Sequence, residues 1–451
     1  MSAYSRTAFL SFMLPLVFLV LIFVEFQKQI KSLIPAKNNN NNKLRLDLND
    51  ELHNINNTLD GILYDNNTNN NTSLSYNNNH SSSSSSSMKR ALECLRHTKP
   101  VPNDLLYPED AYEHFQEIHQ RLDQWTQKKH HKPHHAAGFR GPWIENHWIT
   151  HFQHELSEKS SNNNNHNNNN NTRLSDIFGP YIPIFIPWTD IWVRNGFKYP
   201  KALVHTMMRK DFLRDDVLYI TVNQNDDGFV GRCSEFEAVQ RHKLLTIFSA
   251  GGYGHIPIPL LKQPEPSLPQ KKSPSERKHL LSYVGSTKHA PDNMRQKMIA
   301  QGHHYYHGDH WREEMAQSKF QLCPRGFGRT SYHVQETLQM GLIPIQIYLD
   351  QPWLPYGNIM NNISYAVTVE ELPELVDTVL SKLSDFEISH MEQQIESWRH
   401  EYFSAEGAMQ QIGAFLLQQG DDDDAVKRSD LLCQALPDNS GSGETRMKAC
   451  G

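Results

Sequence analysis

Short, unbroken apolar runs alternate with helical stretches from residue 182 to residue 403, and this alternation limits what the chain can fold into. The runs are Ile182–Ile186, Val217–Val222, Leu244–Phe248, Leu280–Val284, Phe320–Leu322, Ile343–Ile347 and Ser364–Val367. Helical stretches lie between them at 201–214, 291–300, 331–340 and 370–381. A strand that is apolar at every position is buried on both faces. Such strands belong to parallel sheets covered by helices on both sides. The expected class is therefore α/β. Residues 262–278 (KQPEPSLPQKKSPSERK) are rich in proline and basic residues and read as an exposed linker. They divide the pattern into two α/β units, 89–261 and 279–419, the latter closed by helices at 385–403 and 407–419.

The ends differ in composition. Residues 8–24 (AFLSFMLPLVFLVLIFV) carry no charge, and about 17 apolar residues is the short limit for a spanning helix. The run exceeds a usual signal-peptide core and no small-residue cleavage site follows, so residues 1–26 are expected to be a cytoplasmic tail and uncleaved signal anchor. Residues 27–88 hold Asn runs and the serines Ser81–Ser87. They lack the apolar surface needed to offset ordering entropy and read as a stem. A second Asn-rich tract, 157–172, reads as a surface insertion, and 420–451 as a solvated tail with Asp421–Asp424 as an acidic patch. The net charge of −6 argues against a nucleic-acid binder.

The cysteines Cys94, Cys233, Cys323, Cys433 and Cys450 show no zinc spacing. In an oxidising lumen they permit up to two disulfides, with the pairing open. Glycosylation sequons begin at Asn56, Asn66, Asn70, Asn71, Asn79, Asn170 and Asn362. Only Asn362 lies in sequence expected to be ordered. The histidines His130, His131, His134 and His135 resemble a metal cluster but read better as an exposed loop.

Residues 318–348 (SKFQLCPRGFGRTSYHVQETLQMGLIPIQIY) carry the chemistry. They read as strand, Gly/Arg-rich turn, helix, glycine and strand. Helix starts beyond the carboxyl ends of such strands attract anions. Arg325 and Arg329 lie in the turn, and their forks suit a diphosphate. Glu336, in the helix, suits ribose hydroxyls. The bland alternatives are solvated loop arginines and a surface glutamate.

Several ordered motifs resemble those of exostosin-like glycosyltransferases, glycosyltransferase family 47. GPWIENHW (141–148) is similar to an early Tyr/Glu segment, and IPIFIPW (182–188) to a Phe-Phe-Val-Pro strand. VLYITVNQNDDG (217–228) is similar to a strand ending in His-Asp-x-Gly, and FSAGGYGHIPIPL (248–260) to a segment ending in Val-Val-Ile-Pro. RKHLLSYVGS with MRQKM (277–298) resembles a strand followed by an arginine. Residues 318–345 resemble the signature Ser-x-Phe-Cys-Leu-x-Pro-x-Gly through Ser-x-Arg-x-x-Glu to Gly-Cys-Ile-Pro-Val.

The resemblance implies a GT-B architecture of two Rossmann-like domains facing a cleft, with acceptor on the first and nucleotide sugar on the second. It implies a donor site of Gly285, Arg295, Arg325, Arg329, Ser331, His333 and Glu336, with Asp226 as catalytic base. No metal or cofactor is expected beyond the nucleotide sugar, UDP-linked, as co-substrate. The implied setting is the Golgi membrane in type II orientation, with the catalytic part lumenal and a glycan or glycoprotein as acceptor. His333 stands where the family has arginine and Asn225 where it often has histidine; Gln321 and Leu342 replace frequent cysteines. The alternative reading is therefore an inactive sugar- or nucleotide-binding membrane protein. Asp227, and the loop of Gly251, Gly252, Gly254 and His255, have bland readings as turn residues.

Overall fold

The computed structural model describes residues 80–96, 100–126, 135–136, 139–140, 142–162, 174–226, 228, 242–417 and 429–434. The anchor, most of the stem, most of the Asn-rich insertion, Asp227 and Asp421–Asp424 lie outside them, as do His130, His131 and His134. No helix among the described residues is long and apolar enough to cross a membrane, and none of their side chains cluster in the manner of a metal site.

The strands are β1 (His135–Ala136), β2 (Phe139–Arg140), β3 (Ile182–Pro183), β4 (Tyr219–Asn223), β5 (Leu245–Ser249), β6 (Ile256–Pro257), β7 (His279–Val284), β8 (His304–Tyr306), β9 (Ser318–Pro324), β10 (Ile343–Ile347) and β11 (Tyr365–Val367). The helices are α1 (His80–Arg96), α2 (Ala111–Thr126), α3 (Ile144–Asn162), α4 (Ser175–Phe178), α5 (Trp188–Arg194), α6 (Lys201–Met207), α7 (Met294–Ile299), α8 (Trp311–Met315), α9 (Tyr332–Gln339), α10 (Gly357–Ile363), α11 (Leu372–Thr378), α12 (Asp385–Phe403) and α13 (Ala405–Leu417).

Two parallel sheets result. The first has the order β3-β4-β5-β6 and the second the order β11-β10-β9-β7-β8. Every residue of β4, β5 and β10 is buried, as unbroken apolar runs require. Both sheets belong to one compact unit, residues 79–451. In the second sheet β7 is followed by β8 on one side, and the chain then returns to place β9 on the other. The space between the carboxyl ends of β7 and β9 is thus a topological switch point, where open α/β sheets bind ligands.

Strand limits differ in places from the sequence pattern. β9 runs two residues beyond Phe320–Leu322 at each end, and Gln321 within it is satisfied. Its amide accepts from Ser282 Oγ at 3.1 Å and donates to the Met315 carbonyl at 2.8 Å. β3 is shorter than Ile182–Ile186, although Ile184 N still donates to the Ile220 carbonyl of β4 at 2.8 Å. Helix α6 stops at Met207, well before the expected 214.

The stretch 262–278 departs most from expectation, because parts of it are packed. Arg277 is buried and grips Glu392 of α12 with both arms, at 2.5 and 3.0 Å. Lys271 reaches Glu396 at 2.9 Å. Lys262 bonds Glu265 at 2.5 Å and Glu336 at 2.7 Å, and Glu265 also pairs with Arg312. Three of the basic residues that suggested an exposed linker, Lys262, Lys271 and Arg277, are counter-ions to acidic partners distant in sequence, while Lys272 and Lys278 are exposed.

Helix α13 leaves α12 and packs on α3 and α4 beside the first sheet. Phe415 meets Phe248 edge to face at 5.4 Å, and Gly179 is obligatory because any side chain there would collide with the Leu416 carbonyl. A disulfide joins Cys94 of α1 to Cys433, with Cα atoms 5.4 Å apart. Cys323 is a buried free thiol, and burial pushes its pKa up to about 12.

Candidate functional site

Three loops converge at the strand ends. The turn after β4 carries Asp226, the loop after β5 carries Gly251 and Gly252, and the loop after β9 carries Arg325–Thr330. Glycine is required at the contact. A side chain on Gly251 would run into the backbone of Asn225 and Asp226, one on Gly328 into that of Gly251 and Asp226, and one on Gly252 into Arg329. Gly252 also has φ +107°, a conformation that disfavours any side chain. Arg329 N donates to the Gly251 carbonyl at 2.9 Å.

Both loop arginines are internally engaged. Arg325 donates to the carbonyls of Gly328 and Phe327, each at 2.9 Å, and to Asp350 Oδ1 at 2.8 Å. Arg329 donates to Asp350 Oδ2 at 2.8 Å and to the Gly252 carbonyl at 2.6 Å, with its guanidinium 4.5 Å over the Tyr253 ring. Burial acts to raise the Asp350 carboxyl, but Arg329 and Arg325 outweigh it and hold it below the usual range. Where the sequence suggests a diphosphate between these forks, the structure places the Asp350 carboxylate. Asp350 was missed because it pairs with residues 21 and 25 positions away. Its one sequence signal is its position just beyond a strand.

Glu336 is also engaged. Its oxygens accept from Lys262 Nζ at 2.7 Å and His333 Nδ1 at 3.0 Å. Burial acts to raise this carboxyl, but His333 and Lys262 prevail and hold it down at about 2. In place of an open acceptor for ribose, Glu336 orients the His333 ring.

Several unengaged donors lie around the start of α9. Ser331 precedes the helix, and its Oγ is buried without a hydrogen-bond partner. His333 Nε2 is likewise buried and unpartnered, in a residue only 9% exposed. No acidic residue occupies the first turn of α9, so its N–H groups and dipole face no internal anion from that turn. Arg295 of α7 spans the switch point, donating to the carbonyls of Ser286 at 2.9 Å and Arg325 at 3.0 Å, while its Nε remains unpartnered. The Tyr283 ring contacts both His333 and Arg295, at 5.9 and 6.0 Å. Gly285, the residue after β7, packs on the Tyr283 hydroxyl so closely that a Cβ would lie 3.0 Å from it. Gly285, Arg295, Ser331 and His333 are thus assembled at one switch point.

Glu145 is a second feature missed from sequence, although it lies in the segment compared with the Tyr/Glu motif. It is fully buried and accepts from Thr189 Oγ1 at 2.8 Å, Thr189 N at 3.0 Å and Gln224 N at 2.8 Å. Burial pushes its pKa up to about 8, against the pull of those three donors. The folded chain therefore holds a proton on Glu145 over pH values where the unfolded chain, near 4.5, has lost it. This contribution to stability must fall as pH rises from about 5 to 8. Glu145→Gln is expected to flatten that fall in urea midpoints measured across the window. An unchanged slope would refute the assignment of a raised carboxyl.

Two parallel, helix-flanked sheets, with a cradle of unpartnered donors at a switch point, define a Rossmann-like architecture. Residues 246–383 match the family model of the exostosin GT47 domain. Over these residues, about a third of the chain, the protein is similar to exostosin-like glycosyltransferases of family 47. The match covers the whole second sheet and the cradle; Asp226 and Glu145 precede it. No curated protein matches the chain closely enough to count as a relative.

Proposed function

We propose that this chain is an inverting glycosyltransferase that moves a sugar from a UDP-linked donor to a glycan or glycoprotein in the Golgi lumen, anchored through residues 8–24. The observation that carries the reading is the set of buried, unpartnered donors at the switch point: Ser331 Oγ, His333 Nε2 and Arg295 Nε. A buried polar group without a protein partner calls for one from outside the chain, a water or a ligand, and here three gather at one switch point. A diphosphate supplies oxygens for all of them, beside the positive end of α9.

In this reading Asp226 takes the proton of the acceptor hydroxyl as its oxygen bonds the anomeric carbon. The bond from that carbon to the diphosphate breaks on the opposite face. The electron pair leaves with the diphosphate, whose charge is met by Arg295, His333 and the helix start. Glu336 keeps Nδ1 of His333 engaged, so Nε2 faces the ligand. The Cys94–Cys433 disulfide supports an oxidising compartment, and Asn362 is exposed on α10.

His333→Ala is expected to weaken UDP binding about 10–100-fold, since a hydrogen bond to a charged group contributes roughly 1.5–3 kcal/mol. Calorimetry with UDP measures it, and unchanged affinity would place the diphosphate elsewhere. The binding-only reading draws on Asp350 closing both arginine forks. It predicts nucleotide-sugar binding with no release of nucleotide when acceptors are supplied.

A further inference from the structure

One side chain links the start of α9 to the turn that carries Asp226. Tyr332, the first residue of α9 and the neighbour of His333, accepts a hydrogen bond at its hydroxyl from Gln224 Nε2 at 3.0 Å. Gln224 directly follows β4 and is 2% exposed. Its other amide atom, Oε1, accepts from Ile144 N at 2.8 Å, and its backbone N–H is the one that Glu145 holds. The amide can therefore neither flip nor swing without breaking a buried bond.

The turn is held at Asn225 and Gly228. Asn225 N donates to Asn223 Oδ1 at 2.7 Å, Asn225 Nδ2 donates to Tyr199 Oη at 3.2 Å, and Gly228 N donates to the Asn225 carbonyl at 3.0 Å. The Asp226 carboxylate lies near enough to the Tyr332 phenol that its charge, after burial, helps hold the phenol well above its ordinary pKa. Glu145 is not a candidate for the base: it is fully buried, and its oxygens point to Thr189 and Gln224.

We infer that Tyr332 is a positioning residue. Through Gln224, which Glu145 anchors, it sets the placement of the Asp226 turn relative to the diphosphate-binding helix start. It therefore governs the rate of transfer and not the affinity for nucleotide. This rests on the functional reading above. The physical reason is leverage: the helix start and the turn come from different sheets, and bringing two reacting groups to working distance is sensitive to displacements of about 1 Å, which cost up to about 100-fold in rate.

The test uses Tyr332→Phe, which keeps the ring and removes the hydroxyl, together with Gln224→Ala and the double variant. Transfer is followed as nucleotide release with acceptor, and UDP binding by calorimetry. Tyr332→Phe is expected to lower kcat about tenfold or more, with the dissociation constant for UDP within about twofold and the melting temperature within a few degrees. Because the two groups act through one bond, the double variant should lose no more than the worse single variant. Unchanged kcat in Tyr332→Phe, or losses that multiply in the double variant, would overturn the inference while leaving the donor site standing. Failure of the unsubstituted chain to bind UDP would overturn both.

Discussion

Glu392→Ala is expected to destabilise the fold by roughly 3–5 kcal/mol, the range for removing one partner of a buried ion pair. Arg277 has no exposed side-chain surface, and both its arms meet Glu392. Without that carboxylate the guanidinium keeps only the carbonyls of Lys272 and Ser318. Arg277→Ala should cost less, because Lys271 still lies 3.2 Å from Glu392. Replacing both by apolar residues of similar volume should recover most of the loss. Urea unfolding of the three variants gives the order. A loss below about 1 kcal/mol for Glu392→Ala would show that the strap 262–278 is not fastened as described, since exposed pairs contribute no more than that.

Asp226→Asn is expected to lower transfer by about 10²–10⁴-fold, the usual contribution of a general base. Affinity for UDP should hold, because the base acts on the acceptor. The amide is close in size to the carboxylate, so the clamped turn between Gly251 and Gly328 is retained. Loss of nucleotide binding in this variant would mean that Asp226 belongs to the donor side. Normal turnover would remove it from the chemistry.

Both effects depend on features with different visibility in the sequence. The strand-and-helix alternation was legible because it arises within short windows. A strand covered on both faces has to be apolar throughout, and β10 was read to its exact limits at Ile343–Ile347 for that reason. Helix α12 was likewise legible at Asp385–Phe403, where Ser384 and Glu387 form a capping box. The switch-point loop was legible through its glycines and arginines. Its location between β7 and β9 was not, because strand order is a property of the assembled sheet.

The sequence by itself determined the α/β class, the order of elements and the segment that bears the site. Which residues gather there depended on the assembled sheet, since Gly285 and Arg295 follow β7 while Ser331 and His333 follow β9. Only the tertiary structure decided what each charged group faces. Arg325 and Arg329 were obvious cations, yet their partner is Asp350; Arg277 and Lys262 belonged to an apparent linker, yet their partners are Glu392 and Glu336. A charge in a sequence has no preferred partner until folding removes water from around it. Once buried, it binds whichever opposite charge the packing brings within reach, and that choice is made across tens of residues.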